Sequence, residues 1–176
     1  MFSLPTLSLK GKVSEQEWQT RVDLAACYRL VADMRWGDLI YTHISAKVPG
    51  TEHYLVNAFG LTFDEVTASN LVKVDLEGNI LDDTPYGINP AGFTIHSAIH
   101  EVRHDAQCVI HLHTLATISV ASVKGGLKPW SQYSMFSLPS LSYHSYEGLA
   151  VDDREKKRLQ DDLGDTNHML LPNHGG

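Results

Sequence analysis

The stretch that most constrains the fold runs from Asp38 to Phe59. In "DLIYTHISAKV", Ile40, Thr42, Ile44 and Ala46 alternate with Tyr41, His43, Ser45 and Lys47. Successive strand side chains point to opposite faces, so the alternation predicts a half-buried strand. Pro49-Gly50 turns the chain into "HYLVNAF", a second strand, and the pair predicts a hairpin. Neighbouring strands in the first half therefore run antiparallel, which argues against a doubly wound parallel sheet.

Helical patterns flank this hairpin. Ser14-x-x-Glu17 forms a capping-box pattern, and Trp18, Val22, Ala25, Leu30 and Met34 recur at near-helical spacing, predicting a helix that buries those residues and ends at Gly37. "LVKVDLEGNIL" predicts two short strands around Glu77-Gly78. Pro90 suits the first turn of a second helix through "AGFTIHSAIHEVRH". There Phe93, Ile95, Ala98, Ile99 and Val102 supply the apolar side, while His96, His100 and His104 recur every fourth residue, with His100 and His104 expected at the solvent edge. "AQCVIHLH" reads as a central strand, "TLATISVASVK" as a helix, Asp152 to Leu163 as a charged surface helix and "HMLLPN" as a last strand. Strands and helices alternate, so the expected architecture is α/β, three-layer α/β/α, with a central mixed, mainly antiparallel sheet. Residues 1–13 read as a loose arm and 14–176 as one domain, long enough to bury a core.

Composition narrows the function. A formal net charge of −7 argues against nucleic acid or an anionic membrane face as the main partner. No window reaches the roughly 20 apolar residues that span a bilayer, and the N-terminus lacks a signal-peptide core. Cys27 and Cys108 cannot build a disulfide scaffold and read as buried free thiols, so a cytoplasmic setting is expected. Neither G-x-G-x-x-G nor a P-loop pattern is present, which speaks against nucleotide binding.

The chemistry-bearing feature is "CVIHLHT". Residues i and i+2 of a strand share a face, so His111 and His113 project together and can chelate one ion. The competing reading is two imidazoles at a strand end, hydrogen-bonded to backbone or water. A third imidazole, His174 in "LLPNHGG", also sits where an apolar strand leaves the core, and three imidazoles with an open position describe a catalytic metal site. His96 is a candidate partner for a metal-bound imidazole, since such rings give their other N–H to an acceptor. Three neutral imidazoles suit zinc, manganese and iron alike.

"GDLIYTHISAKV", "NPAGFTIHSAIH", "HDAQCVIHLHT", "YHSYEG" and "LLPNHGG", taken in this order and spacing, resemble the class II aldolase/adducin N-terminal domain family over residues 16–176, and its adducin-like branch in particular. The resemblance implies a divalent metal, commonly zinc, held by His111, His113 and His174, and carbon–carbon cleavage through a metal-stabilised enediolate. It also implies a homo-oligomer, a tetramer if the protein is full length, with Tyr133 near the position of a proton donor supplied by the neighbouring subunit. Ser45 and Gly60 match substrate-binding positions. Relatives continue past the Asn-His-Gly motif with another strand and helices, which a chain ending at Gly176 is expected to lack.

There are departures. The sugar-phosphate aldolases place an acid, ligand and base, four residues before the histidine matching His96; here that residue is Gly92. Their phosphate-binding serines are matched by Pro90-Ala91, and a Gly-Asn pair by Thr42-His43. A small oxygenated substrate without phosphate is therefore expected, with Glu147 the candidate replacement acid. Two functions follow: a metal-dependent lyase, aldolase or decarboxylase, or a non-catalytic adducin-like structural module keeping the fold.

Overall fold

A computed structural model describes residues 8–148 and 153–176; residues 1–7 of the expected arm and Asp152 lie outside the described residues. The first helix, α1 (Glu15–Asp33), starts as its sequence predicts, with the Ser14 side chain accepting the Glu17 N–H. The reciprocal half of the capping box is not made, because the Glu17 carboxylate turns inward to Arg21 and Lys73. The buried face differs from the apolar count: Glu17, Arg21, Leu24, Ala25, Tyr28 and Val31 are inside, while Val22, Leu30 and Met34 are exposed. A wholly buried arginine is tolerated because acceptors surround it. Arg21 donates to Glu17 Oε1 at 2.9 Å, the Leu71 carbonyl at 2.8 Å and Asp82 Oδ2 at 2.6 Å.

The predicted hairpin forms between β1 (His43–Lys47) and β2 (Tyr54–Val56), antiparallel, with Ala46 opposite Leu55. With β3 (Val72–Val74) and β4 (Cys108–His111) they make an antiparallel sheet of order β3–β2–β1–β4. A parallel pair, β5 (Leu141–Tyr143) with β6 (His168–Leu170), forms a second small sheet. Of the two strands expected around Glu77-Gly78, the first is β3; the second is a single bridge from Val74 to Ile80.

Layers follow from the apolar faces. Leu24, Tyr28 and Val31 of α1 pack on Ile44, Ala46, Leu55 and Leu71 on one side of the sheet. On the other side lie α2 (Pro90–Val102) and α5 (Asp153–Leu163), joined through Ile95, Ala98 and Leu159. Pro90 holds the first position of α2 and Asn89 caps it. Two short helices, α3 (Leu115–Ala121) and α4 (Gln132–Ser137), follow β4. This is the α/β, helix–sheet–helix architecture that the alternation of elements predicts.

Two expectations about burial need correction. Strand β1 is buried on both faces rather than one. Its polar side, His43 and Ser45, is covered by the histidines of α2, so hydrogen bonding replaces solvent there. Cys108 is exposed and Cys27 partly buried: β4, expected to be a central strand, lies at the edge of the sheet and leaves Cys108 and Ile110 uncovered.

Candidate metal centre

Strand β4 ends at His111, two residues before His113, and Thr114 then caps α3 by accepting the Thr117 N–H. From the other end of the fold, β6 leads into a tight turn in which Asn173 takes a positive φ of 62° and His174 N–H donates to the Leu171 carbonyl. Leu112 N–H donates to the Gly176 carbonyl at 2.8 Å, and Gly176 N–H returns a bond to Leu112. A Cβ on Gly175 would meet the Leu112 carbonyl oxygen at 2.7 Å and His113 Cδ2 at 2.9 Å, so glycine permits this approach. The result is convergence: ligand-type atoms of His111, His113 and His174 lie within 4.8 Å of one another.

Nε2 of His111 and Nε2 of His113 face each other at 3.0 Å. The opposite nitrogen of His113, Nδ1, faces Asp38 Oδ2 at 3.1 Å. With Asp38 accepting from His113 Nδ1–H, the lone pair of His113 Nε2 points at the His111 ring, an arrangement that a proton or a cation between the two Nε2 atoms relieves. Burial, then the neighbouring imidazoles, holds His111 well below the usual imidazole range; burial, then His113, lowers His174. Three converging imidazoles, one of them backed by a carboxylate, form a candidate three-histidine metal site.

Behind this cluster lies a second group of imidazoles. His43 sits opposite His111 in the β1–β4 register, their rings stacked with centroids 4.8 Å apart. His43 Nδ1 meets His96 Nε2 at 2.7 Å; Ser45 Oγ contacts His96 Nδ1 and lies 2.7 Å from His100 Nε2. His96 thus stands behind His43 rather than behind a member of the trio. His100 is 0% exposed, not at the solvent edge, because its ring packs on Tyr54 and its nitrogen finds Ser45. His104 is exposed.

The remaining candidates are dispersed. Ser45 is fully buried with its hydroxyl committed to His96 and His100. Gly60, at φ 95°, lies in the turn after β2, with open space where a side chain would project. Tyr133 on α4 is 84% exposed. Glu147 is bound by Arg158 Nε at 2.7 Å, with a second contact to the same guanidinium. Sequence reasoning missed Asp38 and gave His43 no role. The available signal was alternation, which puts His43 and Ser45 on one face of a strand; no local pattern announces Asp38.

These buried neutral histidines make acid stability testable. Burial pushes His100 down to about 4. The unfolded chain therefore binds the extra proton first, and stability present above about pH 6.5 falls as pH drops toward 4, by at most about 1.4 kcal/mol per pH unit for this group. Urea unfolding between pH 7.5 and 4.5 should show that fall, and His100→Gln should flatten it. An equal slope in both proteins would contradict the assignment.

A three-imidazole centre at the strand ends of a helix–sheet–helix domain defines a class: folds of the aldolase kind. Residues 22–176 match the family described as Class II Aldolase and Adducin N-terminal domain, and the chain belongs to it. It is 65% identical over 173 residues to a Pseudomonas aeruginosa protein named as a candidate class 2 aldolase, covering 98% of this chain and 66% of that one. It is 48% identical over 179 residues to rat alpha-adducin, covering 97% of this chain and 24% of the adducin. Among solved structures, an aldolase II superfamily protein from Pseudomonas syringae superposes with TM-score 0.92 at 57% identity, covering 96% of this chain and 69% of that one. L-fuculose 1-phosphate aldolase from Glaciozyma antarctica superposes with TM-score 0.79 at 26% identity, covering 98% and 67%. The chain thus spans about two-thirds of its bacterial relatives and a quarter of the adducin. No helix among the described residues is long and apolar enough to cross a membrane.

Proposed function

We propose that the chain forms the metal-binding part of a divalent-metal-dependent lyase cleaving a carbon–carbon bond in a small oxygenated substrate without phosphate. The observation that carries this reading is the convergence of His111, His113 and His174, with Asp38 behind His113. A bound divalent ion, zinc by preference, supplies Lewis-acid polarisation of a substrate carbonyl. The chain's own residues do the rest. Asp38 holds His113 with Nδ1 outward, so its Nε2 faces His111 Nε2 at 3.0 Å. Pro90 and Ala91 offer no hydroxyl where phosphate-binding serines stand in the sugar-phosphate aldolases, which supports an unphosphorylated substrate. In this reading the full-length protein is a homotetramer in which Tyr133 serves as proton donor to a neighbouring subunit; its exposure on α4 supports that role. Glu147 contributes an acid only if it leaves Arg158.

The second reading, an adducin-like structural module, is favoured by Gly92 standing where the aldolases carry their acid. The full-length protein, purified without chelators, should retain about one metal per chain by mass spectrometry, run as a tetramer by light scattering, and turn over a member of a panel of unphosphorylated aldol and β-keto acid substrates. Metal retained without turnover across the panel favours the structural module. Absence of metal removes the lyase reading.

A further inference from the structure

The loop that follows β5, from His144 to Gly148, is tied down by one face of α5. Glu155, Arg158 and Asp162 fall at helical spacing, so their side chains share a side of that helix. Arg158 holds Glu147, and Asp162 Oδ2 lies 2.7 Å from His144 Nδ1. His144 N–H also donates to the Leu170 carbonyl at 3.1 Å, which fixes the base of the loop on β6. Between loop and helix lies a cavity of about 10 Å³, the room of one water, with His144, Tyr146, Glu155 and His174 in its walls. The Tyr146 ring stands edge-on to His174, their centroids 6.2 Å apart, so the cavity adjoins the third imidazole of the metal centre.

This cavity is short of one hydrogen-bond donor. The Asp162 carboxylate only accepts, so His144 Nδ1 carries a proton and gives it to Asp162. In the neutral ring Nε2 then holds a lone pair. That nitrogen is buried and has no hydrogen-bond partner among the described residues. What faces it, at 3.6 Å, is Glu155 Oε1, another acceptor, on a residue 6% exposed. Native interiors avoid leaving such groups unsatisfied. A second proton on His144 answers this with a direct ion pair, but 3.6 Å is too long for that hydrogen bond. A water answers it fully: its two O–H groups donate to Nε2 and to Glu155, and its oxygen accepts from a ring N–H. The ring available in the cavity wall is His174. Within the metal centre, His113 has Asp38 behind it, whereas His174 has no such carboxylate in contact among the described residues.

We propose that this cavity is a water site, and that Glu155 and His144 act through the bound water as positioning residues for the outer nitrogen of His174. Asp38 supports His113 directly; here the support crosses one water. Metal-bound imidazoles give their second N–H to an acceptor, and losing that acceptor typically weakens binding 10–100-fold. Through the water, α5, which carries none of the three imidazoles, sets the direction of the third. The role in metal retention rests on the three-histidine reading above; the water site does not.

Two measurements on the full-length protein separate them. A crystal structure of the metal-free protein should show one ordered water within about 3 Å of His144 Nε2, of a Glu155 oxygen and of a His174 ring nitrogen. A direct His144–Glu155 bond of about 3 Å or less, or a water that does not reach His174, overturns the proposal. Zinc dissociation constants, from competition with a chromophoric chelator, give the second readout. Glu155→Leu, which fills the space and expels the water, should weaken zinc binding about tenfold or more, while Glu155→Gln, whose carbonyl oxygen still accepts, should stay within about threefold of wild type. His144→Phe removes the other anchor of the water and should lose affinity as Glu155→Leu does, so the test stands if the leucine variant fails to fold. Folded variants that lose thermal stability but keep wild-type zinc affinity make both residues purely structural and overturn the proposal. A wild-type protein that binds no zinc sinks the three-histidine reading, and the crystal structure still decides the water site.

Discussion

Arg21→Met is expected to lower the stability of the folded chain by about 3–5 kcal/mol. The guanidinium is fully buried beneath α1, with side-chain exposures of 7% for Glu17 and 9% for Asp82. Methionine matches its length but neutralises nothing, so two nearly buried carboxylates are left with only Lys73, which lies 2.9 Å from Glu17 and 3.9 Å from Asp82. The Leu71 carbonyl also loses its donor. Loss of one partner from a buried charge group costs more than the group contributes as a whole, because the remaining charges stay desolvated. The triple variant Glu17→Gln, Arg21→Met, Asp82→Asn should therefore recover much of the deficit. Urea unfolding of the three proteins measures both effects. An Arg21→Met loss below about 1 kcal/mol would mean that water reaches the carboxylates and the network is a surface one. Since small domains have only about 5–15 kcal/mol in total, the larger figure brings the single variant close to unfolding at 37 °C.

Arg21 also marks where sequence reading fails. The periodicity of Trp18, Val22, Ala25, Leu30 and Met34 describes a helix correctly but puts only Ala25 of these fully in the core, since apolar spacing cannot register a buried charge whose partners, Asp82 and Leu71, lie some fifty to sixty residues away. The hairpin and the Pro90 helix start were legible because each is set by residues in contact along the chain. His111 and His113 were legible as a pair for the same reason. Their partner His174 was legible only through its place after an apolar strand and through family resemblance, because its approach depends on the pairing of Leu112 with Gly176. Asp38 and His43 were not, since what gives them meaning is strand register: His43 acquires its position only by pairing opposite His111. The same blindness hid the closeness of Gly92 and His43, where a Cβ on the glycine would lie 2.7 Å from His43 Cδ2.

His111→Ala should abolish metal retention in the full-length protein, and the effect should grade with distance from the centre. His111 supplies a buried, neutral nitrogen facing His113 Nε2 at 3.0 Å, and its loss leaves two imidazoles and no inner wall. Asp38→Ala keeps every ligand but frees His113 to rotate and to protonate at the wrong nitrogen; loss of such a partner typically costs 10–100-fold in affinity, about 1.4–2.7 kcal/mol. Gly175→Ala tests the backbone instead, since a methyl there collides with the Leu112 carbonyl and His113, and the turn carrying His174 must withdraw. It should fall between the other two. His104→Ala, at an exposed position in the turn after α2, should change nothing. Zinc dissociation constants, measured by competition with a chromophoric chelator at one pH, rank the four. Equal affinity in His111→Ala and wild type would place any bound metal elsewhere. A loss in Asp38→Ala as large as that in His111→Ala would make the carboxylate a ligand rather than a support.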